Sequence, residues 1–165
     1  MRIITRLDIK NDHVIKGINL EGLRKVGDPI ELASKYYESG VDEIILIDSV
    51  ASLYNRNNLF HIVDKVSESI FVPLTLGGGI RSIEDIEKSL KSGADKVAIN
   101  SYAIENPKFI EQAVNIFGSS TITVYIEAKK IGDKKWEPYK YCGREKTNLD
   151  LLNWIKEVQD LGCGE

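Results

Sequence analysis

The stretch from residue 71 to 101 constrains the fold more than any other part of the chain. It begins with a short apolar run, 71–76, that is rich in strand formers and leads into three consecutive glycines. Ser82 then has the position of a helix N-cap, with Asp85 three residues later as in a capping box. A second apolar run follows at 96–100. This order predicts a βαβ unit, and such a crossover joins parallel strands.

The rest of the chain repeats this alternation of strands and helices. Asp28-Pro29 is a clear helix start, with aspartate at the N-cap and proline at the first helical position. Segment 43–48 (EIILID) is almost entirely apolar, as a strand covered on both faces should be. In all, we predict strands at 2–9, 43–48, 71–76, 96–100 and 121–128, hairpins that include 13–18 and 133–141, and helices that begin near residues 28, 59, 82, 106 and 151.

Two repeated phrases indicate how these units are arranged. GVDE at 40–43 recurs as GADK at 93–96 and as GCGE at 162–165, each before an even-numbered strand. LDIK at 7–10 recurs as IEAK at 126–129, 119 residues later, about the length of four βα units. An eight-stranded barrel of two equivalent halves has this spacing, but it needs about 250 residues. We therefore expect an α/β fold in which residues 1–165 form a single domain, an incomplete (βα)8 barrel ending at the start of strand 6.

Composition limits the classes of function. A net charge of −3 without a clustered basic stripe argues against nucleic-acid binding. No apolar run approaches the roughly 20 residues of a membrane span, and the N-terminus lacks a signal-peptide pattern, so we expect a cytoplasmic protein. The isolated cysteines and histidines indicate no metal site, and no cofactor is predicted. These residues are Cys142, Cys163, His13 and His61, and four aromatic residues, Tyr36, Tyr37, Trp136 and Trp154, are interpreted as packing residues.

An ordered set of motifs resembles one family along the whole chain. In sequence order they are RLDIK, VIKG, GDP, LTLGGGIRS, GADKVAIN, ENP and FGSS. Together they resemble the cyclase subunit of imidazole glycerol phosphate synthase. The resemblance implies a βα barrel that takes ammonia from a glutaminase subunit and acts on a bis-phosphorylated ribulosyl-formimino aminoimidazole carboxamide ribonucleotide. The implied products are imidazole glycerol phosphate and an aminoimidazole carboxamide ribonucleotide.

The resemblance also implies site residues. Asp8 matches the essential acid/base aspartate, and Glu127 stands where the family usually has its second catalytic aspartate. From the residues alone, Asp8 has an alternative interpretation as a strand-end acid paired with Lys10. The glycines alone have an alternative interpretation as a tight turn without a ligand. The implied substrate- and phosphate-binding residues are Lys16, Asp48, Gly78, Gly79, Asn100 and Ser101.

The repeated phrases predict a charged ring at the N-terminal ends of the strands. Glu43, Lys96 and Glu165 occupy the same place in the three phrases, and Arg2 stands at the equivalent end of strand 1. The resemblance implies that this ring is an ammonia gate, with Asp95 on the surface that faces the glutaminase. Ordinary solvated charge at the strand starts is the alternative, because exposed ion pairs contribute only about 0–1 kcal/mol.

Two departures from the family pattern leave three functions open. The first is Glu127, which is one methylene longer than aspartate; Arg6 is also unusual for a barrel interior. Both features resemble paralogues that deliver ammonia for sugar amidation in surface polysaccharide synthesis. The second departure is the absence of the last three-eighths of the barrel, which implies a missing second phosphate site. The alternatives are therefore a histidine-pathway cyclase, an ammonia-delivering paralogue, and an inactive fragment or scaffold.

Overall fold

The computed structural model describes residues 1–18, 22–51 and 59–165. The chain divides into two compact units, Met1–Val97 and Ala98–Glu165. No helix in these described ranges is long and apolar enough to cross a membrane. Whether residues 1–165 form a single domain stays a prediction.

The first unit alternates strands and helices after an initial three-stranded segment. Its strands are β1 (Ile4–Lys10), β2 (His13–Ile18), β3 (Gly22–Gly27), β4 (Glu43–Asp48) and β5 (Leu74–Gly77), and its helices are α1 (Pro29–Glu38), α2 (Phe60–Ser67) and α3 (Ile83–Lys91). Strand β6 (Lys96–Ile99) begins at the end of this unit.

The second unit contains short strands and three helices. Its elements after β6 are α4 (Ser101–Glu105), α5 (Lys108–Phe117), a 3-10 turn (Ser119–Thr121), β7 (Ile122–Val124), β8 (Glu127–Gly132), β9 (Lys135–Lys140), β10 (Glu145–Lys146) and α6 (Leu151–Asp160).

The central strands of the first unit are parallel, as the βαβ pattern predicted. β1 pairs with β4 and β4 pairs with β5, both in parallel register. β2 folds back antiparallel onto β1, which confirms the hairpin after the first strand. Its further pairing with β3 was not predicted, because 22–27 has neither an apolar run nor clear alternation.

The two faces of this sheet have different surroundings. Alternate residues such as Leu7, Leu46 and Leu76 are buried in the hydrophobic core that helices α1 and α2 cover. Side chains alternate along a strand, so their sequence neighbours lie on the opposite face. In the parallel register, Arg6, Ile45 and Thr75 form one row on that face, and Asp8, Ile47 and Gly77 form the next.

Helix starts in the first unit follow the predicted capping chemistry. The Asp28 carboxylate accepts hydrogen bonds from the backbone N–H groups of Ile30 and Glu31, at 2.8 and 3.1 Å. Ser82 and Asp85 form a complete capping box at α3. These side chains satisfy N–H groups that have no partner within the helix, so the local sequence determines where each helix begins.

Some predicted boundaries and packing roles are wrong. Strand β5 starts at Leu74 and Phe71 is 81% exposed. Tyr36 and Trp136 are 38% and 37% exposed, so neither is a fully packed residue, whereas Trp154 is buried as expected. In α1, Ala33 lies in the core and Tyr37 packs against it, so of the two neighbouring tyrosines Tyr37 has the expected packing role.

The largest difference concerns the fifth predicted strand. Instead of 121–128, strand β7 covers only Ile122–Val124. Glu127 begins β8, which pairs antiparallel with β9 and opposes Tyr139. The predicted excursion at 133–141 is therefore longer than expected, because its ladder of backbone hydrogen bonds starts at Glu127. Helix α4 at Ser101–Glu105 was also not predicted.

The three repeated phrases, GVDE, GADK and GCGE, share one backbone hydrogen bond, and the first two add a second bond from an aspartate side chain. Asp42 donates its backbone N–H to the Ile3 carbonyl at 2.8 Å, and its carboxylate accepts the Ile3 N–H at 2.6 Å. Asp95 makes the same two bonds with Leu74, both at 2.8 Å. In the third phrase Gly164 donates to the Ile122 carbonyl at 3.1 Å and has no side chain for the second bond.

Gly78 is expected to be much less tolerant of alanine than Gly40. Both residues have positive φ, +96° and +83°, but a Cβ on Gly78 would collide with the Asp48 backbone, whereas one on Gly40 would meet nothing within 4 Å. We expect Gly40→Ala to lower the free energy of unfolding by about 1 kcal/mol and Gly78→Ala by about 3 kcal/mol or more. Urea denaturation measures both, and equal losses would show that the collision is relieved without cost.

Candidate functional site

Asp8 lies near the carboxyl end of β1, on the sheet face away from the helices. Its Oδ1 accepts two hydrogen bonds from the Arg6 guanidinium, from Nε at 2.9 Å and from Nη2 at 2.7 Å. Both side chains are about two-fifths exposed. The Asp8 carboxylate is therefore paired with Arg6 and not with Lys10, and its accessible position permits contact with a small molecule.

Glu127 has a comparable arrangement in the second unit. The Tyr125 hydroxyl donates a hydrogen bond to Glu127 Oε1. Glu127 Oε2 is buried and has no hydrogen-bond partner among the residues that the structure describes. One carboxylate oxygen is thus held, while the other retains its capacity to accept or carry a proton.

Lys16 and Asp48 have different surroundings. Lys16 is exposed on β2, opposite Arg24 of β3. Asp48 is only 4% exposed, and its Oδ1 accepts the backbone N–H groups of Val50 and Ala51 at 3.0 and 2.9 Å. Asp48 therefore stabilises the turn after β4, and its role toward substrate stays a prediction.

The expected phosphate-binding residues occur in both units. In the first unit, Gly78 and Gly79 both have positive φ directly after β5. In the second, Asn100 Nδ2 donates to the Tyr139 carbonyl at 3.3 Å, and Ser101 Oγ accepts the Tyr141 N–H at 2.9 Å. The end of β9 therefore already uses hydrogen-bonding groups of Asn100 and Ser101.

A charged cluster that the sequence did not predict holds the end of β9 against α4. Glu105 accepts hydrogen bonds from Lys140 Nζ at 2.9 Å and from the Tyr141 hydroxyl at 2.5 Å. Burial alone would raise the pKa of the Glu105 carboxyl, but these two hydrogen bonds outweigh it and the pKa is lowered. The bond to Glu105 raises the pKa of Lys140, which therefore keeps its positive charge.

The contact between β9 and α4 is expected to weaken in acid. Because the folded-state pKa of Glu105 is lowered, the stability that its carboxylate gives to this contact is fully present above about pH 4.3, the ordinary pKa of glutamate. This stability is lost as the pH falls through the lower folded-state pKa. Amide-exchange protection of Tyr141 should fall across this range and should be reduced at neutral pH in Glu105→Gln. The exposed Glu111→Gln on α5 is the control. Equal protection in all three proteins would contradict the expectation.

Three members of the predicted charged ring meet in the first unit. Glu43 is 2% exposed, and its Oε2 lies 2.9 Å from Lys96 Nζ and 3.7 Å from Arg2 Nη1. Thr75, which the sequence analysis did not include, donates its hydroxyl to Glu43 Oε1 at 2.7 Å. The solvated-charge alternative is wrong for Glu43, since this carboxylate is buried among donors.

The remaining predicted residues lie at chain segments with structural bonds. Asp95 is exposed, but one oxygen of its carboxylate accepts the Leu74 N–H. Glu165 is exposed, and its carbonyl accepts the Val124 N–H at 2.8 Å, a bond that continues the third repeated connection. In the described part of the chain, no group of three His, Cys, Asp or Glu residues could hold a metal ion.

Comparison with known proteins gives consistent matches along the chain. Residues 2–165 match a family model described as "Histidine biosynthesis protein". The imidazole glycerol phosphate synthase subunit HisF of Legionella pneumophila is 49% identical over 165 residues, covering 100% of this chain and 78% of that protein. HisF of Streptococcus mutans and of Bacillus cereus (strain Q1) are 47% and 46% identical over 164 residues. The chain spans 65% of the length of these two relatives, just under two thirds.

These matches agree with the fold and with the ordered motifs. The parallel strands β1, β4 and β5 with their helices confirm the predicted α/β class, and the matched family has the (βα)8 barrel fold, of which this chain forms part. The resemblance inferred from RLDIK through FGSS is confirmed over the whole chain. The chain therefore belongs to the histidine biosynthesis protein family, within the group that includes the HisF cyclase subunits.

Proposed function

We propose that this chain is the N-terminal part of an imidazole glycerol phosphate synthase cyclase subunit. In this reaction, ammonia from a glutaminase partner is added to the bis-phosphorylated substrate, and the ring closes to give imidazole glycerol phosphate and an aminoimidazole carboxamide ribonucleotide. The single observation that carries the proposal is identity of 46–49% with HisF subunits along the entire chain.

The surroundings of Asp8 support an acid/base role in this chemistry. Addition of ammonia and ring closure require a proton to leave nitrogen and another to reach a leaving group, which positioned carboxylates can transfer. Asp8 stands near the carboxyl end of a parallel strand, where barrel enzymes place their catalytic groups. We assign the second such role to Glu127.

We further propose that substrate phosphate contacts the backbone N–H groups at Gly78 and Gly79 and the side chains of Asn100 and Ser101. Lys16 and Asp48 complete the proposed substrate-binding set. Glycines at positive φ can present N–H groups to an anion without obstruction by a side chain.

Inorganic phosphate is expected to shift the amide resonances of Gly79 and Ser101 more than those of other residues. The Ser101 hydroxyl oxygen accepts the Tyr141 N–H, and its own hydrogen can still be donated to a phosphate oxygen, so we expect a response at both residues. Titration with phosphate, followed by two-dimensional amide NMR, measures both groups, and sodium chloride at the same ionic strength is the control. Shifts confined to lysine-rich surface segments such as 129–135 would contradict this assignment.

The charged cluster around Glu43 supports a role in ammonia entry. We propose that Arg2, Glu43, Lys96 and Glu165 form the gate and that Asp95 faces the glutaminase. Buried charge with several donors is suited to a narrow polar passage, because each charge can exchange partners without being left alone in a low-dielectric site.

Growth rescue tests the proposed function. The complete gene is expressed in a strain that lacks the cyclase and is grown without histidine, and Asp8→Ala serves as the inactive control. Rescue by the wild type but not by the variant is the expected result. Failure of a well-expressed, folded protein to rescue growth would overturn the histidine-pathway assignment.

A second candidate is the paralogue that supplies glutamine-derived ammonia for sugar amidation. It is favoured by one specific observation, the glutamate at 127 with its Tyr125 partner at the start of β8. A longer acid with a bound phenol is a different constellation from the family's usual aspartate. Under this candidate the protein fails to rescue histidine growth but supports glutamine-dependent amidation of a nucleotide sugar or sugar acid.

A further inference from the structure

The two proposed catalytic acids share a feature beyond their repeated phrase. Asp8 and Glu127 each follow, by two positions, a side chain that donates a hydrogen bond to one carboxylate oxygen. The donors are Arg6 and Tyr125, which are separated by the same 119 residues as the acids. The repeat therefore extends to five residues, R-L-D-I-K and Y-I-E-A-K, with a donor, an acid and a lysine at equivalent places.

Strand geometry explains this spacing in the first unit. Residues i and i+2 of a strand lie on the same face, so a long side chain at i can reach the acid at i+2. Arg6 uses two of its N–H groups on the same oxygen, Asp8 Oδ1, at 2.9 and 2.7 Å. Within the described ranges, no hydrogen bond is made to Asp8 Oδ2, and the carboxylate is still about two-fifths exposed.

In the second repeat, 125–129, one oxygen of the acid is also held, but by a tyrosine hydroxyl in place of a guanidinium. The Tyr125 hydroxyl holds Glu127 Oε1, while Oε2 is buried and meets no hydrogen-bond partner in the part of the chain that the structure describes. A buried acceptor without a partner costs typically about 1–3 kcal/mol, and a catalytic role is one explanation for keeping such an atom. The second oxygen of Glu127 is therefore a candidate contact for substrate or for the transferred proton.

We propose that Arg6 and Tyr125 are positioning residues that fix one oxygen of each acid and thereby direct the other oxygen toward the substrate. This inference rests on the proposed function, since it assigns both residues a task in the same reaction. Neither residue needs to touch the substrate.

The physical reason is the freedom of a carboxylate. The terminal torsion of aspartate or glutamate is broad, so an unheld carboxylate presents its oxygens in many directions. Glutamate has one more rotatable bond than aspartate, which makes a fixed partner more important at 127. Holding one oxygen removes this freedom before substrate arrives, and small losses of alignment can reduce turnover by an order of magnitude or more.

Single and double variants of the complete gene product test the inference, with ammonium salt as the nitrogen source. Tyr125→Phe and Arg6→Met should each lower kcat about tenfold with KM changed less than about twofold. Arg6→Lys should restore part of the loss. Combining each variant with Glu127→Gln or Asp8→Asn should cost no more than the acid variant alone, because each donor acts through its acid.

Matched controls separate this effect from general damage. Tyr36→Phe removes a hydroxyl from an exposed tyrosine of α1, and Arg144→Met removes an exposed guanidinium. Both should keep wild-type kcat. Thermal melting within about 2 °C of wild type for every variant is expected if the donors act on orientation and not on folding.

The outcomes are distinguishable. Absence of wild-type turnover would overturn the proposed function, and the inference with it. If the wild type is active, three results would overturn the inference alone. These are a raised KM in Tyr125→Phe or Arg6→Met, no loss of kcat in these two variants, or multiplicative losses of kcat in the double variants. The contact itself is tested without activity by the Arg6 Nε–H resonance, which should move in Asp8→Asn; an unchanged resonance would overturn the assignment of Arg6.

Discussion

Asp8→Asn should reduce the kcat of ammonia-dependent cyclisation by about three orders of magnitude, while KM stays within a few-fold of wild type. Asparagine keeps the size and still offers an oxygen to Arg6, but it cannot accept or release a proton at the pH of the reaction. The loss should therefore appear in the chemical step. Steady-state assays of the complete protein with saturating ammonium salt measure this effect.

Asp12→Asn is the matched control for this prediction. Asp12 lies only four positions away, is exposed, and its carboxylate lies 3.3 Å from His61 Nε2. It should retain wild-type turnover, and both variants should melt close to the wild-type temperature because neither carboxylate is buried. Activity of Asp8→Asn within tenfold of wild type would remove Asp8 from the acid/base chemistry.

Lys96→Met should lower the free energy of unfolding by about 3 kcal/mol. The Lys96 ammonium is the nearest positive charge to Glu43 among the described residues, at 2.9 Å, and Glu43 is almost fully buried. In the part of the chain that the structure describes, removing it leaves the carboxylate with the Thr75 hydroxyl and the more distant Arg2 as partners. Urea denaturation measures the loss.

The double variant Glu43→Gln/Lys96→Met tests the cause. It should recover most of the lost stability, because the buried charge is no longer present to be compensated. Lys91→Met, which affects an exposed pair with Glu87, should change stability by less than about 0.5 kcal/mol. A double variant as unstable as Lys96→Met would show that packing of the lysine side chain, and not its charge, is responsible.

The same lysine allows the gate to be tested separately from folding. In the complete protein with its glutaminase, Lys96→Ala should reduce glutamine-dependent turnover more than turnover on added ammonium salt. The ratio of the two rates cancels any common loss of folded protein. Equal losses with both nitrogen sources would mean that the ring supports the fold and has no role in ammonia entry.

Local signals explain why much of the fold was predictable from sequence. Helix α1 begins where Asp28-Pro29 places an N-cap and a first-turn proline, and α3 begins where Ser82 and Asp85 close a capping box. Strand β4 matches the apolar run 43–48 at both ends. In each case the information lies within a few neighbouring residues, so tertiary contacts were not needed to find the element.

Elements whose existence depends on distant pairing were not predicted correctly. Strand β3 has few apolar residues and forms because β2 offers it a ladder of hydrogen bonds. Glu127 leaves the expected parallel strand because β9, eight or more positions along the chain, pairs with it from Tyr139. Such pairings compete with local pattern and cannot be weighed from a single segment.

The candidate site shows the same division. Asp8 was identified from its motif, but the positively charged residue that pairs with it, Arg6, was not. Arg6 and Lys10 are both two residues away on the same face of the strand, so the sequence does not distinguish between them. Tyr125 was overlooked because an aromatic residue in an apolar run is usually a packing residue. The equal spacing of the two donors from the two acids was the signal that could have indicated both.

The repeated aspartate connection has a consequence for how this chain tolerates evolutionary change. Asp42 and Asp95 each tie the start of one strand to the start of its parallel neighbour by two bonds, β4 to β1 and β6 to β5, so strand register is set at that end. Insertions or deletions in the intervening helices and loops can then be absorbed locally, without sliding the strands past one another. The length of the segments between these aspartate connections can therefore vary, whereas the residues at the carboxyl ends of β1 and β5 keep their level along the sheet.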